Sequence, residues 1–206
     1  MSNFRTIIEG RQSLGEWHGQ CLELVNSLDS YHTGESLREA FWRSLTSNVE
    51  GDTITECSAS SKEAYNHWEL TNNTIAVLAN VVESPAVLPS ATRMELVKER
   101  EGAFMVVMQS LQMLLRDPQV SRFDSTFLGV AVGKKFFIST KGYIGWVLNS
   151  AVEGDSMCLF QNCPMPFVIR EQEHGYRLIG AAYVHGFMYE HAEDLSEGAL
   201  DTIRLL

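Results

Sequence analysis

Five short β-prone runs crowd into the last third of this chain, and they limit its fold more than any other feature. Residues 135–140, 143–148, 156–160, 166–170 and 176–183 are rich in aromatic and β-branched side chains. Between them lie Lys141-Gly142, Glu153-Gly154-Asp155, Asn162-Cys163-Pro164 and His174-Gly175, each with a residue that supplies turn geometry. A repeat of about ten residues per strand suits a small antiparallel barrel, because strands this short leave many exposed edges unless the sheet curls on itself. Within it, Phe136, Ile138, Val168, Ile169 and Leu178 are expected to fill the interior by alternation.

The first 120 residues read as helices, since apolar side chains recur there every three or four positions. Residues 34–47 place Leu37, Phe41 and Leu45 on one face with Trp42 beside them, while Arg38, Glu39 and Arg43 lie elsewhere. Ser60-Ser61-Lys62-Glu63 reads as a capping box that opens a second helix, with a break expected in the Thr71-Asn72-Asn73-Thr74 cluster and an end at Ser84-Pro85. A third helix would start at Ser90 and carry the stripe Met94, Val97, Phe104, Met108, Leu111 and Leu115, until Asp117-Pro118 stops it. A Met-rich stripe at this spacing is more often core than a partner groove. The expected fold is therefore α+β: an N-terminal helical part packed with a C-terminal small antiparallel β-barrel of about five short strands. Its parts are residues 1–120 (helical), 121–190 (the barrel module) and 191–206 (an acidic C-terminal tail or short helix).

Composition narrows the class of function. The 206 residues are 45% hydrophobic and 20% charged, a balance that can bury a core and rules out wholesale disorder. Sixteen Lys and Arg against 26 Asp and Glu leave a net charge of −10, the wrong sign for a nucleic-acid or anionic-membrane binder. No apolar stretch approaches the roughly 20 residues needed to cross a bilayer, so no membrane span is expected. The opening Met1-Ser2-Asn3-Phe4-Arg5-Thr6-Ile7-Ile8-Glu9 lacks a secretory apolar region, which points to a reducing, cytoplasmic location with Cys21, Cys57, Cys158 and Cys163 as free thiols.

No motif declares an enzyme. Cys158, Cys163, His174 and His185 match no tight zinc spacing, and no metal or cofactor is expected. Cys158 with His185 as base and Asp155 as orienter has the residue types of a nucleophilic triad, but Asp155 after Gly154 is more economically a turn residue. The glycines at 129, 133, 142, 145 and 154 form neither a dinucleotide fingerprint nor a phosphate loop. His185, within Tyr183-Val184-His185-Gly186-Phe187-Met188, is the best candidate for a functional polar side chain. Tyr183, two residues earlier, would share its side of the strand and form a polar spot with it.

Several segments resemble, in order, the C-terminal region of fungal heterokaryon-incompatibility proteins, those that carry an N-terminal HET domain. They are Lys135-Phe136-Phe137-Ile138-Ser139-Thr140-Lys141-Gly142-Tyr143-Ile144-Gly145, Glu153-Gly154-Asp155-Ser156-Met157-Cys158-Leu159-Phe160, Pro166-Phe167-Val168-Ile169-Arg170, Tyr176-Arg177-Leu178-Ile179-Gly180 and Ala182-Tyr183-Val184-His185-Gly186-Phe187-Met188. Glu39-Ala40-Phe41-Trp42-Arg43-Ser44-Leu45 resembles the helical segment that precedes this region in the family. Trp146-Val147-Leu148 and Tyr189-Glu190-His191 depart from its usual turns.

The resemblance implies a fungal cytoplasmic protein of the allorecognition and programmed-cell-death repertoire, truncated in that no HET domain has a counterpart here. It also implies a protein partner, either a full-length relative or another incompatibility factor. The expectation is a non-catalytic recognition or regulatory module with Tyr143, Asp155, Tyr183 and His185 as candidate binding residues. The alternatives are a hydrolase using Cys158 and His185, a NAD-cleaving activity inferred only from relatives of the missing domain, or an inactive remnant.

Overall fold

The computed structural model describes residues 2–50, 56–83, 109, 112–188 and 201–206. The chain forms two compact units, Met1–Gln20 with Ser58–Ser125, and Cys21–Cys57 with Thr126–Leu206. Helices come first and antiparallel strands follow, so the class is α+β as the sequence predicts.

The first unit is built from helix α1 (Ser2–Asn26, up to Gln20), helix α3 (Ala59–Glu83) and the start of helix α4 (Pro118–Ala131). On α3, Ala64, Tyr65, Trp68, Thr71, Asn72 and Ile75 repeat every three or four residues, and all are buried. Phe123 of α4 packs on this face, with ring centroids 5.5 Å from Tyr65 and 5.0 Å from Trp68. The Trp68 indole N–H donates to Asp124 Oδ1 at 2.6 Å, and His18 Nε2 lies 3.0 Å from the Tyr65 hydroxyl.

Three local expectations are corrected here. No break interrupts α3 at residues 71–74: Thr71 and Asn72 are buried on the packed face, and Thr74 bonds back to the Leu70 carbonyl at 2.7 Å. Tertiary burial overrides the poor helix propensity of these residues. The helix opens at Ala59 rather than after Ser60, with the Ser58 carbonyl accepting from the amides of Ser61 and Lys62. Asp117-Pro118 begins a helix as well as ending one. Proline fits the first helical position because its missing N–H would be unpaired there anyway, and Asp117 Oδ1 accepts from the Gln119 amide at 2.8 Å. The predicted helix end at Ser84-Pro85, the start at Ser90 and the stripe up to Leu111 lie outside the described residues.

In the second unit, helix α2 (Leu37–Leu45) begins at the N-cap Ser36, whose hydroxyl accepts from the Glu39 amide at 3.1 Å. The strands are β1 (Lys134–Ile138), β2 (Ile144–Leu148), β3 (Ser156–Leu159), β4 (Pro166–Gln172), β5 (Gly175–Ala181) and β6 (Tyr183–Val184). They form two antiparallel sheets in the orders β1-β2-β6 and β3-β4-β5, which do not close into a barrel.

Closure is replaced by other covers. Phe41 of α2 packs edge-on against Phe136, and Phe136 against Trp146, with centroids 5.7 and 5.5 Å apart. The Trp146 indole N–H reaches across to the Ser44 carbonyl at 2.7 Å. The run predicted at 176–183 splits at Ala182, whose amide turns to the Pro166 carbonyl at 2.8 Å and delivers the chain from one sheet to the other. Val147, Ala151, Val168, Ala182 and Val184, from both sheets and their connections, form a common apolar cluster flanked by Phe137 and Ile179.

The interior list changes accordingly. A bulge between Val168 and Ile169 lets two successive residues be buried, which strict alternation forbids. Leu178 is 43% exposed and does not belong to the core, whereas Phe137 packs against the shared cluster and Phe136 faces α2. Gly145 is required where β6 crosses β2, since a Cβ there would run into the Tyr183 carbonyl.

Candidate functional site

A partly buried polar chain in the second unit links the segment before α2 to the end of β6. Pairing of β6 with β2 sets Tyr183 opposite Trp146, and the His185 amide then donates to the Ile144 carbonyl at 2.9 Å. Tyr31 fixes the other side of that backbone: its hydroxyl donates to the His185 carbonyl at 2.8 Å and accepts from the Ile144 amide at 3.4 Å. Gly186, at φ 71°, turns the chain beneath Thr33 and His32, where a Cβ would collide with the Thr33 methyl. This turn holds the imidazole of His185 against Glu35.

Both ring nitrogens of His185 have partners. Nε2 lies 2.7 Å from Glu35 Oε1, and Nδ1 lies 2.9 Å from the Tyr183 hydroxyl. A carboxylate can only accept, so Nε2–H donates to Glu35 Oε1, while the Tyr183 hydroxyl meets Nδ1. Glu35 has further support: the Thr33 hydroxyl donates to Oε1 at 2.7 Å, and Arg43 Nε stands 3.7 Å from Oε2. Arg43 is itself positioned by Glu39 at 3.1 Å, Asn48 at 3.0 Å and the Cys57 carbonyl at 3.2 Å.

Electrostatics follow from this wiring. Burial works against charge on Glu35, but hydrogen bonds from His185 and Thr33 together with the charges of His185 and Arg43 outweigh it and hold the carboxyl below its ordinary value. The Tyr183 phenol is pushed well above its ordinary value, first by burial and then by Tyr31, Cys57 and Glu35, with Arg43 opposing. Burial likewise raises the Tyr31 phenol. Both tyrosines are therefore neutral hydrogen-bond donors at neutral pH. A row of tilted and edge-on rings borders the chain: Tyr31 to His32 at 4.5 Å, His32 to Tyr143 at 4.7 Å and Tyr143 to Phe187 at 5.7 Å.

The four candidates from the sequence fall in different places. Tyr183 and His185 meet through a direct hydrogen bond. Tyr143 joins the bordering row of rings through edge-on contacts. Asp155 is engaged elsewhere: its carboxylate is clamped by Arg170 at 2.7 and 2.9 Å and accepts from the Val152 amide at 2.9 Å, and the Arg170 bond first of all lowers its pKa. The acid on His185 is Glu35, not Asp155. Burial raises the Cys158 thiol, so its thiolate, the form a nucleophile needs, is disfavoured. No group of three His, Cys, Asp or Glu residues is arranged to hold a metal ion among the described residues. No described helix is long and apolar enough to cross a membrane.

Tyr31, Glu35 and Arg43 were not legible as site residues. Arg43 lies in the Glu39–Leu45 stretch that carries the resemblance, but no linear spacing joins Glu35 to a histidine 150 positions away.

No curated protein and no solved structure matches the chain. Residues 107–198, which include β1 to β6, Tyr143, Asp155, Tyr183 and His185, match the family model of the Het-6 beta-barrel domain. This part of the chain is therefore similar to a C-terminal domain of fungal heterokaryon-incompatibility proteins, in line with the resemblance of the segments above.

Proposed function

We propose that the chain is a non-catalytic recognition or regulatory module of the heterokaryon-incompatibility system. It would work in the cytoplasm through a protein partner, either a full-length relative or another incompatibility factor. The observation that carries this reading is the full commitment of His185: both ring nitrogens, its amide and its carbonyl are bonded within the protein. A general base needs a lone pair that can reach a substrate proton. A histidine wired on all sides instead fixes the surrounding surface. The raised thiol of Cys158 and the capture of Asp155 by Arg170 support the same reading over a Cys-His-Asp hydrolase.

An incompatibility assay in fungal cells tests it, using Cys158→Ala and Tyr183→Phe beside the wild-type chain. A recognition module keeps its phenotype in Cys158→Ala and loses it in Tyr183→Phe only as far as the melting temperature falls. Loss of phenotype in Cys158→Ala at unchanged melting temperature would favour an enzyme.

A further inference from the structure

The outer edge of β5 is already occupied, and its occupant shows what the edge accepts. Within residues 201–206, Leu205 pairs in parallel with Tyr176 as an isolated bridge. The Tyr176 amide donates to the Arg204 carbonyl at 2.8 Å, and the Leu206 amide donates to the Tyr176 carbonyl at 3.0 Å. Tyr176 sits opposite Glu171 of β4 on its inner side and offers both backbone groups outward. Gly175 provides the cradle: at φ 155° it lies so close that a Cβ would stand 2.6 Å from the Arg204 carbonyl oxygen and 3.3 Å from Leu206 Cγ. The hold is light, with two main-chain hydrogen bonds and with Leu205 46% and Leu206 64% exposed.

We propose that the β5 edge at Gly175-Tyr176 is a strand-addition site whose occupant in trans is the 204–206 segment of a second copy of this chain. Strand addition draws affinity from main-chain hydrogen bonds and specificity from the pockets beside them. A second copy carries the same backbone and leucines and fits the Gly175 cradle with the contacts seen within one chain. Reciprocal exchange makes a closed two-fold dimer. The inference concerns a surface separate from the His185 wiring and does not depend on the role proposed for it.

Two full-length variants with complementary defects test it. Gly175→Ala blocks the edge and frees its own segment to donate, whereas Leu206→Pro removes the donating amide of the segment and leaves the edge open. Tyr176→Pro, which deletes only an outward-pointing amide, is a second way to block the edge. Each variant is checked for a cooperative melt, and then each alone and the equimolar mixture are sedimented. Both variants are expected to be monomeric alone, with at least tenfold more dimer in the mixture. A mixture of folded variants that stays monomeric at concentrations on the order of millimolar overturns the proposal. If a labelled peptide with the sequence of residues 201–206 binds Leu206→Pro while the mixture stays monomeric, the second copy is also overturned as occupant, and the edge belongs to a strand of another protein.

Discussion

The imidazole Nε2 of His185 rests 2.7 Å from Oε1 of Glu35, 150 residues earlier in the chain. This contact joins the segment that precedes α2 to the residue that follows β6, within one compact unit. Arg43 and Thr33 hold the carboxylate while Tyr31 and Tyr183 hold the histidine, so the pair acts as a clasp between distant parts of the sequence.

Opening the clasp from the acid side should destabilise the fold. Glu35→Ala leaves the buried Nε2–H of His185 without its acceptor, at a cost of about 1–3 kcal/mol, while Glu35→Gln retains an acceptor oxygen and costs less. Urea denaturation of the three proteins checks the order wild type, Gln, Ala.

The clasp also carries a pH signature. The folded-state pKa of Glu35 lies below its ordinary value of 4.5, so its contribution is fully present above about pH 4.5 and is lost as pH falls through the folded pKa. Asp155, lowered by Arg170, behaves in the same direction, and the difference between wild type and Glu35→Gln isolates Glu35. That difference should shrink as pH falls below about 4.5. A difference that grows with falling pH in that acid range would reverse the assignment.

Gly145 has no room for a side chain beneath the Tyr183 carbonyl. Gly145→Ala should push β6 off β2 and cost about 3 kcal/mol, the upper part of the range for overpacking a tight core. A loss of near-ultraviolet circular dichroism at the shared Trp146 environment would accompany it.

The corrected core predicts opposite outcomes for two strand residues. Leu178→Lys, on an exposed position, should change stability by less than about 0.5 kcal/mol. Val168→Ala, in the cluster shared by the two sheets, should cost about 1–3 kcal/mol. Thermal melts of both variants separate this core from a closed barrel lined by Leu178.

Much of the strand region was readable in the sequence because turn residues punctuate it. The predicted runs at 135–140, 143–148 and 156–160 overlap β1, β2 and β3 almost residue for residue. Period-two reasoning failed where geometry is not periodic: at the Val168/Ile169 bulge, and at Ala182, where one run divides between two sheets. Helix α4 was missed because Asp117-Pro118 reads equally as a stop and as an N-cap followed by the first helical residue. At the candidate site the local pair Tyr183 and His185 was accessible, since two residues on one strand share a face. Glu35 and Tyr31 were not, because their link to His185 exists only after α2 and β6 have been brought together by packing around Trp146.

A double-mutant cycle between Glu35 and His185 most directly tests the account. Unfolding free energies of wild type, Glu35→Gln, His185→Asn and the double variant give the coupling between the two side chains free of their separate effects. A structural clasp predicts a favourable coupling of about 1–3 kcal/mol, within the range for residues sharing one hydrogen-bond network. Additivity within about 0.3 kcal/mol would contradict it and return His185 to the pool of available bases.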